Sequence, residues 1–124
     1  MVWKFNGERP VYQQIIEQIQ GAVISGEFSP GDRIPSVRDL ATAAQVNPNT
    51  MQHALHELEQ QNILVTAGTS GRFVTSDTHV LEAMRQRRLK ELTMECAKRF
   101  SAFGISPFQA AQLLLELSEE RKGE

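Results

Sequence analysis

Asn49, Gln52, His53, His56 and Gln60 recur at helical spacing and carry only amides and imidazoles. Set about 100° apart around a helix axis, they cluster within roughly 60° of Asn49, while Met51, Ala54, Leu55 and Leu58 fall between about 140° and 240°. One face suits a core and the opposite face suits hydrogen bonding. Amides and imidazoles can donate to and accept from base edges and phosphates, so this spacing points to a nucleic-acid groove. A merely solvated face more often carries Glu and Lys pairs, although an ordinary polar surface also fits this helix taken alone. His53 and His56, one turn apart with Glu57 beside them, have a spacing compatible with shared metal coordination. The same side chains face the expected groove, where a metal would obstruct, so the reading assigns no metal and no cofactor. Other chemistry is absent from the sequence: no Gly-rich phosphate loop, no nucleophile elbow and no paired catalytic carboxylates. Cys96 is the single cysteine, set on an apolar helix stripe. It excludes an intrachain disulfide and a cysteine-based zinc cage, and an enzyme is not expected.

The elements that must position the polar face come next. Asn47 and Pro48 suit the N-cap and first position of its helix. Before it, Ser36 with Asp39 forms an approximate capping box for a shorter helix, whose stripe is Val37, Leu40, Ala41 and Ala44. Gln45-Val46 links the two, giving a helix-turn-helix. An earlier amphipathic helix carries Val11, Ile15, Ile16, Ile19, Val23 and Ile24, with Pro10 in its first turn and Gly26 at its end. Ser29-Pro30-Gly31-Asp32 reads as a turn, and Arg33-Ile34-Pro35 as an extended piece kept short by its proline. After Asn62, a C-terminal cap, Ile63 to Ala67 and Arg72 to Thr75 read as strands around a hairpin tip, Gly68-Thr69-Ser70-Gly71. A hairpin in that place is a wing that touches backbone or minor groove, with Arg72 at its tip.

Composition shifts at Ser76-Asp77-Thr78, which sets the expected domains at 1–76 and 77–124. A long helix then presents Leu81, Leu89, Leu92, Cys96, Phe100 and Phe103 within an arc of about 100°. Arg85 falls inside that stripe without a role, and the basic run from Arg85 to Lys90 reads as a solvated face or a phosphate contact flanking the operator. Gly104 breaks the helix, and Ser106-Pro107-Phe108-Gln109 restarts one. The last helix carries Phe108, Ala111, Leu113, Leu114, Leu115 and Leu117, more apolar surface than a two-helix hairpin can cover. A second copy of the chain is the simplest cover, so Leu89, Leu92, Cys96, Phe100, Phe103, Phe108, Leu114 and Leu115 are the expected dimerisation residues. A chain stopped after Asp77 is expected to fold as a monomer.

At 124 residues the chain holds one ordinary domain, or a small DNA-reading domain with an appendage. No apolar run approaches the roughly 18 residues of a membrane span, and the start lacks the pattern of a signal peptide. A cytoplasmic protein without membrane contact is the expectation. Net charge pulls the other way from nucleic-acid binding: the chain is −2 at pH 7, and residues 1–76 hold five Lys or Arg against seven Asp or Glu. DNA binding must rest on where a few cations sit, with a modest salt-sensitive component. A winged helix used only for protein contacts is the alternative that this charge favours.

Seven segments, in order, carry a further signal: Tyr12-Gln13-Gln14-Ile15, Ser25-Gly26-Glu27-Phe28, Pro30-Gly31-Asp32-Arg33-Ile34-Pro35-Ser36, Arg38-Asp39-Leu40-Ala41, Val46-Asn47-Pro48-Asn49-Thr50, Ala54-Leu55-His56-Glu57-Leu58-Glu59 and Gly71-Arg72-Phe73-Val74. Over nearly all of residues 8 to 75 the chain resembles the GntR family of transcription regulators, and its short helical tail resembles the YtrA-like subfamily. The resemblance implies a mainly α fold with a small β wing, a winged helix-turn-helix followed by a two-helix dimerisation hairpin. It also implies a bacterial homodimer, a repressor bound to double-stranded palindromic operator DNA and linked to a transporter operon. Family contacts map onto Ser36, Arg38, Asn49, Thr50, Gln52 and His53, with the wing glycine at Gly71. The expected DNA surface is thus Ser36, Arg38, Asn47, Asn49, Thr50, Gln52, His53, Ser70, Gly71 and Arg72. A small-molecule effector, if one acts, is expected in the dimer crevice between tail and winged domain. Two departures stand out: Pro48 replaces an arginine frequent just after the recognition-helix cap, and Thr66-Ala67-Gly68-Thr69-Ser70 replaces an often basic wing. Both remove phosphate or guanine contacts, so the operator sequence does not carry over.

Overall fold

Side-chain amides organise the start of the chain. In the computed structural model, which describes residues 1–122, helix α1 spans Val11–Ile24. Gln14, only 4% exposed, accepts from the Asn6 backbone N–H at 3.0 Å and donates to the carbonyls of Asn6 at 2.9 Å and Arg9 at 2.8 Å. One turn later Gln18 accepts from the Lys4 N–H at 2.9 Å and donates to its carbonyl at 2.8 Å. Four residues of helix rise about 6 Å, close to the advance of two extended residues, so the two glutamines grip alternate residues of the strand-like segment. Trp3 and Phe5, the odd partners in that alternation, stack with centroids 6.0 Å apart and pack on the core.

Ile15, Ile16, Ile19 and Val23 bury the other face of α1. Pro10 stands one residue before the helix, as its N-cap, rather than within the first turn. Its extended ψ of 137° keeps it outside the helix. Gly26 at φ +86° ends the helix as expected. Helix α2, Val37–Ala44, and helix α3, Pro48–Gln60, complete the helical core through Leu40, Ala41, Ala44, Met51, Ala54, Leu55 and Leu58. Both α1 and α2 pack on α3.

Strands β1, Leu64–Thr66, and β2, Arg72–Val74, pair antiparallel with Leu64 opposite Val74 and Thr66 opposite Arg72. They are shorter than the sequence pattern suggested, but Ala67 N–H still donates to the Gly71 carbonyl and Thr75 N–H to that of Ile63. The other edge of β2 is covered: Ile34 N–H donates to the Arg72 carbonyl, Val74 N–H to that of Asp32, and Arg33 bridges Phe73. The extended piece before Pro35 is therefore the third strand-like layer of the wing.

The chain divides into two compact units, Met1–Arg85 and a second from Gln86 onward. Helix α4, Thr78–Ser101, begins where composition shifts. Its first two turns belong to the first unit, because Val80, Leu81 and the buried Met84 pack on the winged-helix core. In the second unit α4 ends before Phe103, which lies beyond the helix, and Gly104 turns the chain at φ +73°. Helix α5, Pro107–Lys122, opens with a reciprocal capping box: Gln109 N–H donates to Ser106 Oγ at 3.2 Å and Ser106 N–H to Gln109 Oε1 at 2.9 Å. No described helix is long and apolar enough to cross a membrane.

Candidate nucleic-acid interface

The turn between α2 and α3 fixes the recognition face. Ser36 Oγ accepts from Asp39 N–H at 3.1 Å, the first half of a capping box; the short aspartate makes no return bond among the described residues. Helix α2 closes on Gln45 in the left-handed region, φ 57°, with Gln45 N–H donating to the Thr42 carbonyl and Val46 N–H to that of Ala41. Asn47 then caps α3, its Oδ1 accepting from Asn49 N–H at 2.8 Å, with Pro48 at the first helical position.

Helix α3 divides as its spacing predicts. Met51, Ala54, Leu55 and Leu58 are fully buried, and Asn49, Gln52, His53, His56 and Gln60 are exposed, with Thr50 half-buried. One of the polar side chains is not free-standing: the His53 ring stacks on Tyr12 of α1, centroids 4.5 Å apart and planes 15° off parallel. Stacking uses the ring faces and leaves the edge nitrogens for hydrogen bonding. No group of three or more His, Cys, Asp or Glu among the described residues could hold a metal ion.

The cations sort into committed and uncommitted. Arg9 makes two hydrogen bonds to Glu17, at 2.5 and 2.7 Å. Arg72, expected at the wing tip facing DNA, instead turns back to α3, its Nε donating to Glu59 Oε1 at 2.5 Å, with both side chains about one-fifth exposed (20% and 23%). The partner is the carboxylate at the end of α3, which sequence spacing did not connect to the wing. Partial burial raises the Glu59 carboxyl, but hydrogen bonds from Arg72 and Thr66, with the charges of Arg72 and His56, outweigh it and hold the group below its ordinary value of 4.5. Lys4, Arg33 and Arg38 have no carboxylate partner among the described residues. The wing tip itself, Gly68 to Ser70, is exposed and uncharged.

Ser36, Arg38, Gly71 and Arg72 line one cleft of about 410 Å³, while Asn47, Asn49, Thr50, Gln52 and His53 lie at the cap and along α3. Arg33 shares that cleft and was missed by sequence reasoning. The available signal was a cation in an extended piece two residues before Pro35, whose pairing with the wing was not legible. Arg85, left without a role, lies 3.6 Å from Glu82 one turn earlier.

In the second unit Leu89, Leu92, Phe103, Phe108, Leu114 and Leu115 are exposed, Phe103 at 85% and Phe108 at 73%, and Cys96 and Phe100 are half-buried. Ala110 is buried. A groove of about 420 Å³ runs between Leu92, Cys96, Phe100 and Phe103, with Glu95 and Arg99 on its lining.

Residues 11–74 match the family described as bacterial regulatory proteins, gntR family. The chain is 33% identical over 119 residues to the HTH-type transcriptional repressor YtrA of Bacillus subtilis (strain 168), covering 92% of this chain and 88% of that one. Its fold is similar to a GntR family transcriptional regulator from Listeria monocytogenes, with a TM-score of 0.81 at 32% identity over 90% of this chain and 98% of that one. It is also similar to the DNA-binding domain of AraR in complex with operator ORX1, with a TM-score of 0.56 at 26% identity over 60% of this chain and 96% of that one. With an amide-rich face on its recognition helix, a wing beside it and these relatives, the chain belongs to the gntR family of bacterial regulatory proteins and is a DNA-binding transcription regulator, not an enzyme.

Proposed function

We propose that the protein is a repressor that reads a palindromic operator as a homodimer. The observation that carries this reading is the polar face of α3, exposed opposite a fully buried stripe, on the helix that follows the one carrying the uncommitted Arg38. Gln52 and the edge of His53 read bases in the major groove; Arg38 and Ser36 hold backbone or guanine; Asn47, Asn49 and Thr50 contact the strand at the helix start. The wing engages the neighbouring backbone through Ser70 and the peptide at Gly71, without a fixed charge at its tip. Arg72 serves by holding the wing to α3.

The exposed apolar side chains of the second unit support pairing with a second copy through Leu89, Leu92, Cys96, Phe100, Phe103, Phe108, Leu114 and Leu115. A two-fold axis then sets two half-sites about one helical turn, roughly 10 base pairs, or a multiple of it apart. The resemblance to YtrA-like regulators supports a transporter operon as the target. Selection of bound sequences from a random duplex pool tests the reading and gives the operator. An enriched inverted repeat is the expected result; a pool that stays random refutes it.

A further inference from the structure

The cleft beside the wing concentrates positive charge in a chain that has little to give. Arg33, Arg38 and Arg72 line it, with Ser36, Thr66 and Gly71, and no Asp or Glu lines it. Asp32, next to Arg33, is turned to its own turn, where its Oδ2 accepts from Ser29 N–H at 2.8 Å. Arg72 is held by Glu59, which leaves Arg33 and Arg38 as the cleft's uncommitted charges. Arg33 is also placed: a Cβ on Gly71 would stand 2.9 Å from its Nε, 3.3 Å from Nη2 and 3.5 Å from Cζ. The guanidinium therefore lies against the Gly71 peptide, a position that only glycine leaves open, and Gly71 itself sits at φ +109°.

We propose that Arg33, seated on Gly71 and facing the same cleft as Arg38, binds a backbone phosphodiester of the operator between the start of α2 and the wing. This rests on the reading of α3 and the wing as the DNA-facing surface. A guanidinium offers a planar pair of donors to phosphate oxygens, and one already packed against a rigid peptide has less freedom to lose on binding. The glycine of the wing thus acts as the seat of a cation as well as a turn. Because a phosphate carries no base identity, Arg33 sets affinity and its salt dependence and leaves base preference unchanged.

The test is titration of the intact protein on a duplex selected from a random pool, over a series of salt concentrations. Arg33 is exposed and bridges Phe73 through its backbone, so Arg33→Gln keeps the fold, which a thermal melt checks. The plot of log affinity against log salt is expected to flatten by about one unit in Arg33→Gln, so that a tenfold rise in salt weakens binding about eightfold less than in the parent. The selected sequence stays the same, and Arg33→Lys keeps most of the slope. Gly71→Ala is expected to unseat Arg33 and flatten the plot similarly, with the double variant no flatter than either single one. An unchanged slope in Arg33→Gln, while Arg38→Gln flattens it, overturns the assignment and leaves the DNA-binding reading standing. Parental slope in Arg33→Gln, with thermal protection of the parent but not the variant by inorganic phosphate, reassigns the cleft to small anions. A parent that binds no duplex overturns both.

Discussion

No carboxylate among the described residues engages Arg38, which leaves its guanidinium open to the proposed DNA contact. Arg38→Ala is expected to weaken operator binding by about 1–3 kcal/mol with the melting temperature unchanged, as read by titration on the selected duplex. Arg72 behaves in the opposite way. Its partner Glu59 has a folded-state pKa below the ordinary 4.5, so the pair adds stability at neutral pH that is lost as pH falls below about 4.5 toward the depressed value. Glu59→Gln is expected to lower the melting temperature at pH 7 and to flatten its decline on the acid side; parallel acid limbs in parent and variant would remove the pair from the stability balance. Gln52 and His53 are expected to act on preference more than on affinity, because the amide and the ring edge offer hydrogen bonds suited to base edges. A Gln52→Ala, His53→Ala variant is expected to select a different sequence from the random pool, and an identical selected site would mean that α3 docks another way.

The helix-turn-helix depends on one strained residue. Gln45 adopts φ 57° at the end of α2, where a Cβ is unfavourable and glycine is at ease. Gln45→Gly is expected to raise stability by up to about 1 kcal/mol, the relief of the left-handed backbone exceeding the added freedom of the unfolded chain; denaturant unfolding measures it. Elements whose signals are local were legible in the sequence. The stripe from Met51 to Leu58, the Asn47-Pro48 start and the Ser106–Gln109 box all follow from spacing within a turn or two. Long-range partners were not. Nothing periodic marks Gln14 and Gln18 as the holders of Asn6 and Lys4 respectively, or Glu59 as the partner of Arg72 13 residues on. The strand-like role of Arg33 is of the same kind, since a bridge to Phe73 leaves no trace near Arg33 itself.

At the scale of the whole chain, the first compact unit extends to Arg85, so a chain ending there is the comparison for one ending at Asp77. A chain ending at Asp77 loses the buried Met84 and is expected to be less stable than one ending at Arg85 by about 2–5 kcal/mol, the range for removing a buried methionine side chain. Equal unfolding midpoints would contradict that packing. The intact protein is expected to sediment as a dimer at micromolar concentration, and the Arg85-terminated chain as a monomer that footprints a palindromic site far more weakly, because the tethered second contact is gone. A monomeric intact protein would remove the dimer reading. The ion pairs of Arg9 and Arg72 also bear on life inside a cell, where a chromosome offers a vast excess of wrong sites. Sequence-independent hold grows with every phosphate neutralised, and two of the five Lys and Arg side chains in residues 1–76 are already occupied by carboxylates of the same chain. With few charges left over in residues 1–76, that part of the regulator is expected to be held only weakly by non-operator DNA. The chromosome would then be a shallow sink, leaving more of the protein free to diffuse to a single site.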